Sequence, residues 1–417
     1  MAKVFVMNDS VEYLLQDLLS QCVQRHASDL HLVPDESPAL RIEGLLVKLE
    51  RPALSGGHVD ALAQHLLAVS GAVGLDQKGS ADGAFSGPCE EKGKGEGARF
   101  RFSVFRRQGH LAVAIRRLED RIRNLGELGM PESLYQLADL RDGLVVVCGP
   151  TGSGKSTTLA ALIDRINRTR AAHIITLEDP VEYLHRPARC LVNQRQIGAD
   201  APSFNDALVA SLRQDPDVIL VGEIRDLATI RTAITAAETG HLVFTTVHAG
   251  DCAGTIERLV AVFPAEEQEA VRRQLAMVLR AVVSQHLLST VEQESSPHDA
   301  GTGRTMSAGI PAGLSQERRR VVATEIMLGT PAISNLIATG KPAQIYSVME
   351  SGQAAGMQTL EQDLARLCVK GLISEATATA MARNVQVLHD RLDVARRKRF
   401  GGHGMADHKA KGGGGRG

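Results

Sequence analysis

The sequence contains no Trp and only nine Phe and four Tyr in 417 residues. Cores with so few aromatics must be aliphatic, which suits layered α/β architecture better than an aromatic-rich β-sandwich. A dominant charge sign is missing as well: 47 Lys and Arg face 48 Asp and Glu, a formal net charge of −1. No global field draws the chain to nucleic acid, so any basic partner site has to be local. The six cysteines, at positions 22, 89, 148, 190, 252 and 368, never fall at CxxC spacing. That argues against a zinc ribbon or a thioredoxin-type redox motif and for scattered buried thiols in a reducing cytoplasm. No stretch approaches 18 uninterrupted apolar residues, and the opening MAKVFVMNDSVEYLL lacks a signal-peptide pattern. Neither a transmembrane helix nor a secretory leader is expected.

What is present is apolar material for two or three domains, 43% of all residues. Up to residue 118, helix and strand signals mix. Val11 to Arg25 places Leu14, Leu15, Leu18, Leu19 and Cys22 on one helical face. Residues 29–33 and 39–42 read as paired strands, 62–69 as a short helix, 79–97 as an exposed Gly-, Lys- and Glu-rich loop, and 100–105 with 111–115 as a hairpin. Residues 119–137 carry few patterns and read as a connection between domains.

From Gly143 the rhythm changes. Residues 144–148, 173–177, 218–221 and 242–246 are continuous apolar or β-branched runs, as expected of parallel strands buried on both faces. Helices are expected between them at 155–168, 204–214, 227–238, 253–262 and 265–288, giving a parallel sheet covered by helices. Residues 290–318 read as a Ser-, Gly- and Pro-rich insertion, followed by a strand at 320–327 and helices at 331–339, 343–352 and 357–370. The segment from Arg391 carries eight Lys and Arg against two Asp, ends in KGGGGRG, and reads as a disordered tail. The expected organisation is therefore a first domain over 1–118, a linker over 119–137, a second domain over 138–390 and a tail over 391–417.

The sharpest motif is Gly149-Pro150-Thr151-Gly152-Ser153-Gly154-Lys155-Ser156-Thr157, placed between an apolar strand and a helix. It has the full Walker A spacing. Gly152 and Gly154 let the backbone curl so that successive N–H groups face phosphates, and the following helix adds its positive end. Lys155 supplies a mobile charge for the β- and γ-phosphates of ATP, and Ser156 a hydroxyl for Mg²⁺.

Three later segments end strands of the same expected sheet, where α/β proteins bind ligands. The first is Glu178-Asp179-Pro180-Val181-Glu182, in which Glu178 is a candidate catalytic group and the alternative is a solvated turn. The second, Asp215 to Glu223, delivers an acid at the end of an apolar strand. Gly222 stands where most P-loop proteins carry the Mg²⁺-associated Asp, so Glu223 reads as the carboxylate that orients or deprotonates the attacking water. Its alternative is a strand-end ion pair with Arg225. In the third, His241 and His248 bracket the strand at 242–246, and each is a candidate sensor of the γ-phosphate. A lone His is usually structural. Two at the ends of one core strand favour a functional role.

GPTGSGKSTT, ITLEDPVEY, DPDVILVGEIRD and AAETGHLVFTTVH, in this order, resemble the ATPases of type IV pili and type II secretion. That family carries a Walker A, an aspartate box, an atypical Gly-Glu Walker B and a histidine box. The resemblance extends through Ala27 to Leu32 and Arg41 to Gly44 and covers about residues 9–375. No cysteine lies between Cys252 and Cys368, so the four-cysteine zinc motif common in assembly ATPases is absent. Ala332 to Ile337, Ser347 to Gly352 and Gly356 to Leu360 are similar to the pilus-retraction branch. Ser334 stands where that branch usually has Arg, and Ala338-Thr339 where it has Arg-Glu.

The resemblance implies a PAS-like α+β domain followed by a RecA-like P-loop domain, assembled as a homohexamer. It also implies that the first domain lends Arg101 and Arg116 to the nucleotide. It implies hydrolysis of ATP with Mg²⁺, coupled to work on an inner-membrane pilus platform protein. The location would be cytoplasmic and peripheral to the inner membrane through partners, with no nucleic acid. The alternatives are an assembly or secretion ATPase without the zinc motif, a RecA-like nucleic-acid motor using the basic tail, and a non-catalytic nucleotide-binding regulator.

Overall fold

The computed structural model describes residues 2–72, 74–88, 97–118, 121–291 and 320–401. Its N-terminal part, through Arg117, is an antiparallel sheet with helices gathered around one core. The elements are α1 (Ala2–Gln24), β1 (Asp29–Leu32), β2 (Ala39–Ile42), β3 (Leu45–Lys48), α2 (Gly56–Ser70), α3 (Leu75–Lys78), β4 (Ser80–Ser86), β5 (Arg99–Arg107) and β6 (His110–Arg117). The six strands lie in the order β3-β2-β1-β6-β5-β4. Leu18 and Leu19 of α1, Leu62 of α2, Leu30 of β1, and Phe100 and Phe102 of β5 share one apolar cluster. Strand alternation decides what is left over. β5 buries Phe100, Phe102 and Val104, and turns Arg99, Arg101 and Ser103 to the other face.

The segment 79–97 is not wholly a loop: β4 pairs with β5 along its length. Its glycine content hid the strand. Gly83 is needed there because a Cβ would meet the Phe102 ring at 2.6 Å. Residues 89–96, Cys89 included, lie outside the described residues.

The second sheet is formed by β7 (Gly143–Cys148), β8 (His173–Glu178), β9 (Leu191–Gln196), β10 (Val218–Val221), β11 (Leu242–Val247), β12 (Leu279–Ser289) and β13 (Arg320–Leu328), in the order β13-β12-β7-β11-β10-β8-β9. Between these strands run α4 (Lys155–Thr169), α5 (Phe204–Ser211), α6 (Leu227–Glu238), α7 (Cys252–Ala261) and α8 (Gln268–Val278). Every residue of β7, β10 and β11 is buried, with apolar clusters on both sheet faces. The sheet is parallel except for β13, which runs antiparallel to β12 at the edge.

The helix expected over 265–288 stops at Val278, and the chain passes directly into β12. This strand, LRAVVSQHLLS, is wedged between β7 and β13 and buried along most of its length. It therefore lacks the period-2 pattern that separates a strand from a buried helix.

The chain ends in α9 (Pro331–Ala338), α10 (Ile345–Ser351), α11 (Leu360–Val369), α12 (Glu375–Met381) and α13 (Val385–Gly401). A capping box, Thr359 with Gln362, starts α11. The tail expected to be disordered from 391 is helical through 401. Leu388 and Leu392, four residues apart, join Leu360, Leu364 and Leu367 in a small core. Residues 402–417, and 292–319 of the expected insertion, lie outside the described residues. Among the described residues no helix is long and apolar enough to cross a membrane.

Candidate functional site

Because β7, β8, β10 and β11 are parallel neighbours, their carboxyl ends deliver four segments to one edge of the sheet. β7 runs into the Gly149–Ser156 loop, β8 into Glu178-Asp179, β10 into Gly222-Glu223, and β11 toward His248. The loop geometry requires glycine. Gly149 has φ +146°, and a Cβ there would meet the Gln285 carbonyl oxygen at 2.4 Å. Gly154, φ +90°, caps α4 in the left-handed region. Lys155 is buried and closes the loop, its Nζ donating to the carbonyls of Gly149 (3.0 Å) and Pro150 (2.9 Å). Burial lowers its pKa from the ordinary lysine value.

The acidic strand end is stitched to both neighbours. The Gly222 N–H donates to the Leu177 carbonyl (2.8 Å), and Thr246 Oγ1 donates to the Gly222 carbonyl (2.6 Å). A Cβ at Gly222 would come within 3.1 Å of the Leu177 oxygen, which gives a steric reason for glycine in place of the usual Asp. Glu223 pairs with Arg225 at 2.7 Å and lies 3.8 Å from His248 Nε2. The ion pair weighed as the alternative role for Glu223 is thus present. Both of its members line the same cleft as Lys155, so the pairing is compatible with chemistry there. Burial first, then the charge of Lys155, holds His248 below the usual histidine range. It is neutral near pH 7 and able to donate or accept a hydrogen bond.

Glu178 accepts from Thr176 Oγ1 (2.6 Å) and Gln194 Nε2 (3.1 Å), and burial raises its pKa. Asp179 is raised as well, again mainly by burial. The N-terminal sheet faces this edge with Arg101 and Arg116, register partners across the β5–β6 hairpin. Arg101 Nη1 lies 3.9 Å from Glu182, whereas Arg116 Nε donates to Asp29 at 2.8 Å.

A cleft of about 580 Å³ between the two sheets collects Thr151, Gly152, Gly154, Lys155, Ser156 and Thr157 of the loop. Glu178, Glu223, His248, Arg101 and Arg116 line it too. Gly149, Pro150 and Ser153 belong to the same loop without lining the cleft, Gly149 and Pro150 serving as acceptors for Lys155. His241 is the exception among the candidate residues. It precedes β11, at the amino end of a six-residue strand and so about 20 Å from the phosphate edge. Its Nδ1 is engaged by the Ala236 carbonyl (2.9 Å). In this chain it closes the α6–β11 turn and does not reach the cleft.

Tyr183 and Arg320 are polar lining residues that the sequence reading did not single out. Tyr183 Oη meets Thr157 Oγ1 at 3.0 Å, and its place after Asp179-Pro180 was the available signal. Arg320 enters from the antiparallel edge strand β13, far along the chain, and no local pattern marked it.

His185 also lines the cleft but is buried, its Nδ1 has no hydrogen-bond partner among the described residues, and burial pushes its pKa down to about 4. The unfolded chain takes up this proton near pH 6.5 and the folded chain only near 4. Stability is therefore full above pH 6.5 and falls as the pH drops toward 4, by at most about 3 kcal/mol. His185→Gln is expected to lose several degrees less in melting temperature between pH 7.5 and 5 than the unsubstituted protein. Equal acid slopes in thermal melts would reject the assignment.

The family model described as "Type II/IV secretion system protein" matches residues 6–380. The type IV pilus retraction ATPase PilT of Pseudomonas aeruginosa is 42% identical over 369 residues, 88% of this chain and 98% of that protein. The type IV pilus ATPase PilU of the same organism is 34% identical over 394 residues, 94% and 93% of the two chains. The crystal structure of the pilus retraction motor PilT with bound ADP matches at a TM-score of 0.74 and 38% identity, over 90% of this chain and 98% of that one.

Proposed function

The chain belongs to the type II/IV secretion system protein family and is an ATPase, and from that premise we propose that it powers retraction of a type IV pilus. The likeness to a pilus retraction ATPase, 42% identical over 88% of this chain, carries the proposal, and the convergence of Lys155, Glu223, His248 and Arg101 on one cleft between the two sheets supports the hydrolysis behind it. We read residues 1–118 as a PAS-like domain, 138–390 as a RecA-like domain, and the working form as a homohexamer that pulls through an inner-membrane platform protein.

In this reading the loop N–H groups and Lys155 hold the triphosphate. The Ser156 hydroxyl, with Glu178 in the same cleft, offers hard-oxygen donors that suit Mg²⁺ arriving with ATP. Among the described residues no cluster of three His, Cys, Asp or Glu forms a separate metal cage. When bound, the ion would supply charge neutralisation at the β- and γ-phosphates. Glu223 aligns the attacking water and accepts its proton, and His248 contacts the γ-phosphate from the neighbouring strand. Arg101 and Arg116 meet the charge that develops as the bond breaks. Since these arginines come from the other sheet, gain and loss of the γ-phosphate alters how the two halves sit together, and this is the stroke.

Deleting the gene tests the direction of force. Retraction predicts surplus surface pili and no twitching motility, with both restored by the intact gene but not by a Glu223→Gln copy. A deletion strain without pili would assign the chain to assembly or secretion instead.

A further inference from the structure

The loop that follows His248 is held from a direction the chemistry above does not use. The Gly250 carbonyl, two residues past His248, accepts from Arg383 Nη2 at 2.6 Å. Ser284 Oγ reaches the same oxygen at 3.1 Å and His286 Nε2 at 3.3 Å. Arg383 lies between α12 and α13, more than a hundred residues further along the chain. Its other arm donates to Glu325 of β13 at 2.7 Å and stands 3.9 Å from Asp251, the residue that caps α7. The backbone of the same joint is pinned too. The N–H groups of Arg383 and Asn384 both donate to Oε1 of Glu361 at 3.0 Å, and Tyr346 donates to its Oε2 at 3.0 Å. Glu361 is fully buried and Glu325 is 3% exposed, so neither acceptor is a mobile surface group.

A guanidinium fork has a fixed shape, and this one spans a carbonyl of the nucleotide edge and a carboxylate of the edge strand. Only Ala249 separates the gripped residue from His248, whose Nε2 lies 3.8 Å from Glu223. We propose that Arg383 is a positioning residue for ATP hydrolysis, holding the 248–251 loop so that His248 faces Glu223 and coupling turnover to the C-terminal helices. The inference rests on the role of His248 at the γ-phosphate proposed above. Burial pushes Glu325 up to about 7 even with Arg383 against it. Loss of the arginine would favour the neutral acid further.

The test is a double-mutant cycle on the full chain. Arg383→Ala is expected to lower kcat about tenfold with KM for ATP changed less than about twofold, because the residue acts on alignment and not on nucleotide binding. His248→Ala is expected to lower kcat at least as far. The double variant should fall no further than His248→Ala, since Arg383 acts through that side chain. Arg383→Lys keeps a cation near Glu325 but cannot span both acceptors, and should recover only part of the rate. If the alanine variant fails to fold, the lysine variant carries the same cycle.

Wild-type kcat in Arg383→Ala, or losses that multiply in the double variant, would overturn the proposal and leave the role of His248 standing. Wild-type kcat in His248→Ala would remove that role, and with it this inference.

Discussion

Glu223→Gln is expected to bind ATP as tightly as the unsubstituted protein and to hydrolyse it about 10²- to 10⁴-fold more slowly. Glutamine keeps the size and hydrogen-bonding reach of the side chain but cannot take a proton from water. In the proposed mechanism binding is spared because the Gly149–Ser156 backbone and Lys155 hold the phosphates, while the hydrogen-bonded ion pair of Glu223 is with Arg225. The fold is spared because the lost ion pair is with Arg225, whose side chain is 70% exposed, and such pairs contribute little to stability. Titration with a fluorescent ATP analogue measures the first quantity and phosphate release the second. Full turnover would remove Glu223 from the chemistry and leave the Arg225 pair as its only role.

The parts of this site that could be read from sequence are those whose position follows from strand direction. β7, β8, β10 and β11 are short, apolar on both faces and each followed by polar residues, so their carboxyl ends could be placed at one edge before any coordinates. The same rule shows why His241 was misplaced. Both histidines flank β11, but only the residue after a parallel strand reaches the ligand edge, and His241 comes before it.

Other features were illegible for different physical reasons. β12 is buried on both sides and carries no alternation, so its eleven residues merged with the helix before it. β4 is a strand made of small residues beside aromatic rings, and its composition is that of a loop. The part of α13 from Arg391 onward looked like a charged tail because, among the described residues, Leu392 alone marks its buried side there. Arg383 and Arg320 gave no signal at all. The partners of Arg383 and the cleft that Arg320 lines are distant from them in sequence, and only the packed chain brings the two arginines to the nucleotide edge.

Arg101→Ala should reduce kcat by about 10³-fold while leaving ATP affinity nearly unchanged, the loss typical of an arginine that meets charge only in the transition state. Arg116→Ala should cost less, about tenfold. The two are register partners on one hairpin, yet their surroundings differ. Arg116 Nε is committed to Asp29, which is 7% exposed and so holds the guanidinium in a fixed place. Among the described residues Arg101 pairs at long range, 3.9 Å, with Glu182 and stands near Asp179, and it can exchange this loose setting for a phosphate oxygen with little loss. Arg116→Ala also strips a buried carboxylate of a partner, so part of its effect will appear as lower stability in thermal melts and not as lower kcat in the folded fraction. Steady-state kinetics with parallel melting curves separate the two contributions. Unchanged kcat in both single variants and in their combination would mean that the N-terminal sheet takes no part in hydrolysis. The link between γ-phosphate loss and movement of the two halves would then have to run through the second sheet alone, by way of the 248–251 loop and the helices clasped to it.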